Sequence, residues 1–143
     1  MIIRTAWLYS KLENNFVNKI INKIKNEKKI FVVDDEVGSP TNVDDLAKTI
    51  LYIIPRLSNT KTEIYHYSNI GYCSRYQLAK KINDKLKFNC DILPSKQNSS
   101  FVERPKFSAL DSSKIIQHFQ IKIDTWENSL SKYLKLYTKN HSH

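Results

Sequence analysis

Apolar residues along this chain alternate between two spacings. Ile2 to Tyr9 is β-rich and mostly apolar, as a strand buried in a parallel sheet would be. Phe16, Val17, Ile20, Ile21 and Ile24 then fall on one helical stripe with lysines and asparagines opposite, and Asn14 or Asn15 is placed to cap it. Ile30 to Val33 forms a second strand. It runs into three acids and then Gly38, Ser39, Pro40 and Thr41, where the glycine is free to take positive φ, the proline fixes its own φ and the threonine can cap a helix. That helix carries Val43, Leu46, Ala47, Ile50, Leu51 and Ile54 and stops near Pro55. Glu63 to Ser68 is an aromatic-rich strand, Ser74 caps a helix through Leu86, and Asn89 to Leu93 is a short strand. Pro94 to Ser108 is polar and irregular, a length of unpatterned chain that in a compact domain points to function. Asp111 opens a short helix to Phe119, and a last helix starts near Thr125 with Trp126, Leu130, Tyr133, Leu134 and Tyr137 on one face.

Strands alternating with helices predict the α/β class, with βαβ units and a parallel sheet. Only two or three strands look long enough for that sheet, and the chain opens inside a strand. The expectation is a single domain over 1–143 that forms the back portion of something larger. The turn after the second strand gathers polar groups at a strand's carboxyl end, where ligands bind in open α/β sheets. Three successive acids there read as solvated, and His66 as a satisfied core residue.

Composition narrows the classes. At 143 residues, 41% hydrophobic and 26% charged, the chain is long enough for a real core. Its apolar runs, such as residues 50–54, are too short to span a bilayer, and the first residues do not form a signal peptide. Cys73 and Cys90 show no metal spacing, which predicts a reducing, cytoplasmic setting. The formal charge of +9 raises nucleic acid as a partner. The lysines are scattered among asparagines along helices instead of concentrated on one face, which argues against it.

Several segments together carry a resemblance: Ile3–Tyr9 (IRTAWLY), Asn14-Asn15-Phe16, Val33–Thr41 (VDDEVGSPT), Ile64–Ser68 (IYHYS), Cys73–Ala79 (CSRYQLA), Arg104–Asp111 (RPKFSALD) and Trp126. In this order and spacing the chain resembles the carboxy-terminal half of the dTDP-4-dehydrorhamnose reductase family of extended short-chain dehydrogenases/reductases. The resemblance implies a partial Rossmann-like parallel sheet with flanking helices plus a small α/β substrate-binding region, lacking the amino-terminal dinucleotide-binding half. Whole members reduce a dTDP-linked 4-keto-6-deoxy sugar with NADPH or NADH. Two glycines, Gly38 and Gly71, cannot build that family's phosphate loop, and the one fitting Tyr-x-x-x-Lys, Tyr76 to Lys80, matches a late helix instead of the catalytic pair. The expectation is therefore no catalytic residue, no cofactor bound by this chain alone, and a dTDP-sugar as its ligand.

The resemblance further implies that Trp7 lies near the hexose, although by itself it reads equally as a core tryptophan. Asn14 and Asn15 would approach the nucleotide-sugar, Arg104 would grip the diphosphate, and Asp35, Pro40 and Thr41 would shape the strand-end turn. Three positions depart from the family pattern: Glu103 replaces an arginine, Arg75 an aromatic residue, and Leu12-Glu13 a glycine-bearing turn. A different class is kept beside this one: a non-catalytic interaction or regulatory module. It would pair through an exposed sheet edge, as a homodimer or with a complementing amino-terminal half.

Overall fold

The structure, a computed structural model, describes residues 1–12, 14–58, 61–96 and 105–140. Among them nine short strands and five α-helices are interspersed: β1 (Ile2–Arg4), β2 (Leu8–Tyr9), α1 (Phe16–Asn26), β3 (Lys29–Val33), β4 (Val37–Gly38), β5 (Thr41–Asn42), α2 (Val43–Ile53), β6 (Ile64–His66), β7 (Cys73–Ser74), α3 (Arg75–Leu86), β8 (Asp91–Ser95), β9 (Phe107–Ser108), α4 (Ser113–Phe119) and α5 (Trp126–Asn140). The α/β class holds. The one sheet expected is instead four small ones: β1 with β6, β2 with β5, β3 with β8, and β7-β4-β9. Every pairing is parallel except β4 with β7.

Helix α1 matches its stripe: Val17, Ile20, Ile21 and Ile24 are buried, and Asn15, not Asn14, caps it. Its apolar face meets α3, α5 and β3 in one core cluster with Tyr9, Cys73, Leu130 and Tyr133. A second cluster joins Ile53, Tyr65, Tyr67, Ile115, Phe119 and Ile123. Helix α3 opens on the expected Ser74 cap, which Gln77 extends into a capping box, the two side chains bonding reciprocally.

Five expectations need correction. Ile2–Tyr9 is not one buried strand, because the backbone breaks at Trp7 (φ 44°), and Ile2 and Leu8 are exposed. Thr41 is not the cap of α2: it belongs to β5, and Asn42 caps the helix by accepting from the Asp44 N–H. Gly38 sits in a strand without positive φ, and only Gly71 (φ 94°) uses that freedom. The third acid is not solvated, since Glu36 is buried. Helix α2 buries only Ile53 fully, and Leu51 and Ile54 of its predicted stripe face out. Boundaries also shift: β8 takes in Pro94, tolerated because among the described residues β8 pairs with β3 alone, and α4 begins at Ser113.

Candidate functional site

The chain leaves β1 at its carboxyl end and turns abruptly through Trp7. A φ of 44° is left-handed backbone, costly for a bulky aromatic residue. Tertiary contacts hold it there: the Thr41 N–H donates to the Trp7 carbonyl at 3.1 Å, and Leu8 pairs with Thr41. The indole lies against Gly38. A Cβ built on that glycine would stand 2.5 Å from Trp7 Cε2, 2.7 Å from Nε1 and 2.8 Å from Cζ2. The shortest distance is to a ring-fusion carbon, which is the pattern of an approach over the ring face. Gly38 is a glycine because the indole needs the space.

Arg75 stacks on the same indole. Its guanidinium carbon is 4.3 Å from the Trp7 ring centroid and 4.9 Å from that of Phe16. Its Nε donates to Glu36 Oε2 at 2.7 Å, and its backbone N–H donates to the Glu36 carbonyl at 3.3 Å. Ser74, immediately before it, also donates its hydroxyl to Asp34 Oδ1. The arginine is thus fixed at both ends, by a capped helix start and by a buried carboxylate.

The facing wall is the turn into α1. Asn15 accepts from the Asn18 N–H at 3.0 Å and donates its amide to the Ser10 and Leu12 carbonyls at 2.9 and 2.8 Å. Asn18 repeats both contacts, and the Tyr133 hydroxyl ties the turn to α5 through Asn18 Oδ1 at 2.6 Å. Asn14 adopts φ 69°, a conformation asparagine tolerates. Between these walls is a cavity of about 240 Å³ bordered by Trp7, Tyr9, Asn14, Asn15, Phe16 and Arg75, with Leu8, Val17 and Leu78 completing it. Burial pushes the Tyr9 hydroxyl far above its ordinary range, so it stays protonated.

Of the expected site residues, the structure brings together Trp7, Asn14 and Asn15. Asp35 is half-buried in the turn between β3 and β4 and does not border the cavity. Pro40 and Thr41 are fully buried, and Thr41 reaches the site only through its backbone bond to Trp7. Its hydroxyl is buried and has no hydrogen-bond partner among the described residues. Arg104 lies outside the described residues. Sequence reasoning missed Phe16, read as core, and Glu36. It registered Arg75 only as a departure, because its partner Glu36 is far away in sequence. A larger cavity of about 490 Å³ borders Arg56, Lys61, Glu63, Tyr65 and His118. It lies by the amino end of β6, away from the strand ends where α/β folds bind ligands, and none of the expected residues borders it.

Comparison with known proteins identifies the family and the fold. The family model for the RmlD substrate binding domain matches residues 1–139. The spore coat polysaccharide biosynthesis protein SpsK of Bacillus subtilis is 32% identical over 136 residues, covering 94% of this chain and 46% of its own length. The crystal structure of dTDP-4-dehydrorhamnose reductase from Bacillus anthracis, in complex with NADP, superposes with a TM-score of 0.83 at 36% identity, over 93% of this chain and 46% of that one. The Clostridium acetobutylicum dTDP-4-dehydrorhamnose reductase ortholog gives 0.85 at 31% identity, over 96% and 48%. The chain thus spans about half the length of the relatives it matches. On the family match and the shared fold, the chain belongs to the RmlD substrate binding domain family.

Proposed function

We propose that this chain is the sugar-nucleotide-binding portion of a dTDP-4-dehydrorhamnose reductase-like protein, and that the Trp7 cavity receives part of a dTDP-linked 6-deoxy hexose. The carrying observation is the convergence of Trp7, Asn14, Asn15 and Arg75 on one cavity at the carboxyl end of β1. Trp7 offers the sugar an aromatic edge, Asn14 offers an amide, Asn15 holds the turn that forms the facing wall, and Thr41, set by Pro40 before it, anchors the Trp7 backbone. In a whole enzyme a nicotinamide cofactor would supply the hydride for reduction at C4. The residues here do not fit that cofactor: Gly38 is occupied by the Trp7 contact and Gly71 by a turn against Trp126, leaving no glycine-rich loop for a dinucleotide phosphate. No redox step is assigned to this chain, and its role is to bind and orient.

Titration calorimetry with dTDP and dTDP-rhamnose tests the reading, comparing wild type with Trp7→Ala and Arg104→Ala. Losing one charged contact at Arg104 should weaken binding by about 1.5–3 kcal/mol. Absence of binding by the wild type would sink the proposal. The chain mixed with NADPH and keto sugar should oxidise no cofactor, and activity restored by a separate amino-terminal half would identify a split enzyme.

A second reading, a module that pairs through its sheet edge, is favoured by one observation. Among the described residues β1 pairs with β6 alone, and the register partners Ile2 and Ile64 are 47% and 41% exposed. Such an edge is a template for a second copy or for the complementing half. Sedimentation at two concentrations separates the readings: a soluble monomer at both excludes a homodimer.

A further inference from the structure

We propose that Arg75 is the anion-recognising residue of the Trp7 cavity, taking a phosphoryl group of the ligand through its two Nη groups while Glu36 fixes its orientation through Nε. The inference rests on the nucleotide-sugar reading only for the identity of the molecule that brings the phosphate.

Four observations carry it. The guanidinium is a planar fork of five N–H donors, and with Nε engaged by Glu36 at 2.7 Å the Nη pair makes no hydrogen bond among the described residues and is available to a ligand. Stacking on Trp7 and Phe16, at 4.3 and 4.9 Å, fixes the plane of that fork before any ligand arrives. Arg75 borders the cavity and Glu36 does not, so the cation faces the ligand and the acid stands outside the lining. Among the described lining residues Arg75 is the sole charged one, set among rings, aliphatic side chains and two asparagines. The volume is consistent too. About 240 Å³ falls below the roughly 300–1,000 Å³ that encloses a whole drug-sized ligand, and suits one portion of a nucleotide-sugar.

Because the guanidinium stacks on Trp7, a group reaching the indole from the cavity meets a cation. A phosphoryl oxygen pair gains two parallel charge-assisted hydrogen bonds there, whereas a neutral hydroxyl gains far less. Arg75 therefore makes this cavity select the anionic part of its ligand.

The test is titration calorimetry of the 143-residue chain with inorganic pyrophosphate, dTDP and thymidine, at low and high salt. Wild type should bind pyrophosphate and dTDP with affinity that falls as salt rises. Arg75→Gln should lose about tenfold to a hundredfold for both while thymidine binding is unchanged. Arg75→Lys, which keeps the charge without the fork, should recover only part of the loss. If wild type binds dTDP and Arg75→Gln binds it equally well, the assignment of Arg75 is overturned while the nucleotide reading survives. If pyrophosphate binds through Arg75 but dTDP gains nothing over it, the assignment stands and the nucleotide reading fails. Binding of neither anion by the wild type overturns both. Should Arg75→Gln fail to fold, the guanidinium resonances of the wild type decide, because pyrophosphate must shift those of Arg75 and an unchanged Arg75 signal refutes the proposal.

Discussion

Alanine at Gly38 probes the support of the site directly. The backbone there tolerates a side chain, since Gly38 lacks positive φ. The obstacle is the indole: an added Cβ would lie 2.5 Å from Trp7 Cε2, against the roughly 3.5–4.0 Å at which carbon atoms rest. Relief requires a movement of about 1 Å. Strand β4 cannot easily supply it, being paired on both edges, with β7 and with β9. The indole cannot either, with Arg75 stacked on it and its carbonyl bonded to Thr41. Overpacking of this kind costs about 1–3 kcal/mol, or about 4 °C in Tm per kcal/mol for a chain of this size. Urea unfolding of Gly38→Ala, Trp7→Leu and the double variant isolates the cause. With leucine at position 7 the clash disappears, so the alanine should cost close to nothing in that background. An equal cost in both backgrounds would show that the glycine serves the backbone and not the indole, and would refute the reasoning.

Three further outcomes are expected. Asn15→Ala removes the α1 cap and two bonds to the Ser10–Leu12 turn, and should cost about 1–2 kcal/mol by denaturant titration. Ser129→Ala breaks a buried network in which Ser129 donates to Asp45 Oδ2 and Asn69 donates to the same oxygen at 3.0 Å; about 1–3 kcal/mol should be lost in the same assay. Burial raises the Cys73 thiol from its ordinary 9.0 to about 12 and raises the hydroxyls of Tyr67 and Tyr133. A raised acid binds its proton more tightly in the folded state, so this stabilisation is complete below the unfolded values and is lost as pH climbs from about 9 toward 12. The urea midpoint should fall over that window, and Cys73 should resist thiol reagents at neutral pH until the chain unfolds.

Much of this fold was legible wherever one physical cause dominated. The α1 stripe and the Ser74 cap are local signals, and both were realised. The strand ends were harder because their form depends on partners far along the chain. Ile2–Tyr9 reads as one strand, yet the pairing of Leu8 with Thr41 pulls its second half into another sheet and forces the kink at Trp7. Glu36 reads as solvated because nothing local reveals that Arg75, distant in sequence, closes over it. The apolar residues of α2 obey helical spacing, but Leu51 and Ile54 stay exposed at 70% and 56%, since spacing alone does not supply a partner for a face. Trp7, Asn14 and Asn15 were named through the family resemblance, and the structure sets all three on one cavity. Phe16 and Arg75 emerge only when the walls of the cavity are assembled.

Backbone strain points independently to the same place. Four residues other than glycine have positive φ: Trp7, Asn14, Lys87 and Gln120, among the described residues. Lys87 and Gln120 end α3 and α4 as left-handed caps, an ordinary way to close a helix. Trp7 and Asn14 cap nothing, and both border the Trp7 cavity. Such residues each cost about 1–3 kcal/mol when bulky and persist only where neighbours over-determine them. At Trp7 those neighbours are identifiable: the Thr41 N–H, the face of Gly38 and the guanidinium of Arg75. Relaxing Trp7 to an extended conformation would carry its ring off Gly38 and withdraw the surface on which Arg75 stacks. The strain is therefore the means by which a short strand, a glycine and a paired arginine are brought to one cavity, and it supports the proposal of that cavity, over the larger one beside β6, as the place for the ligand.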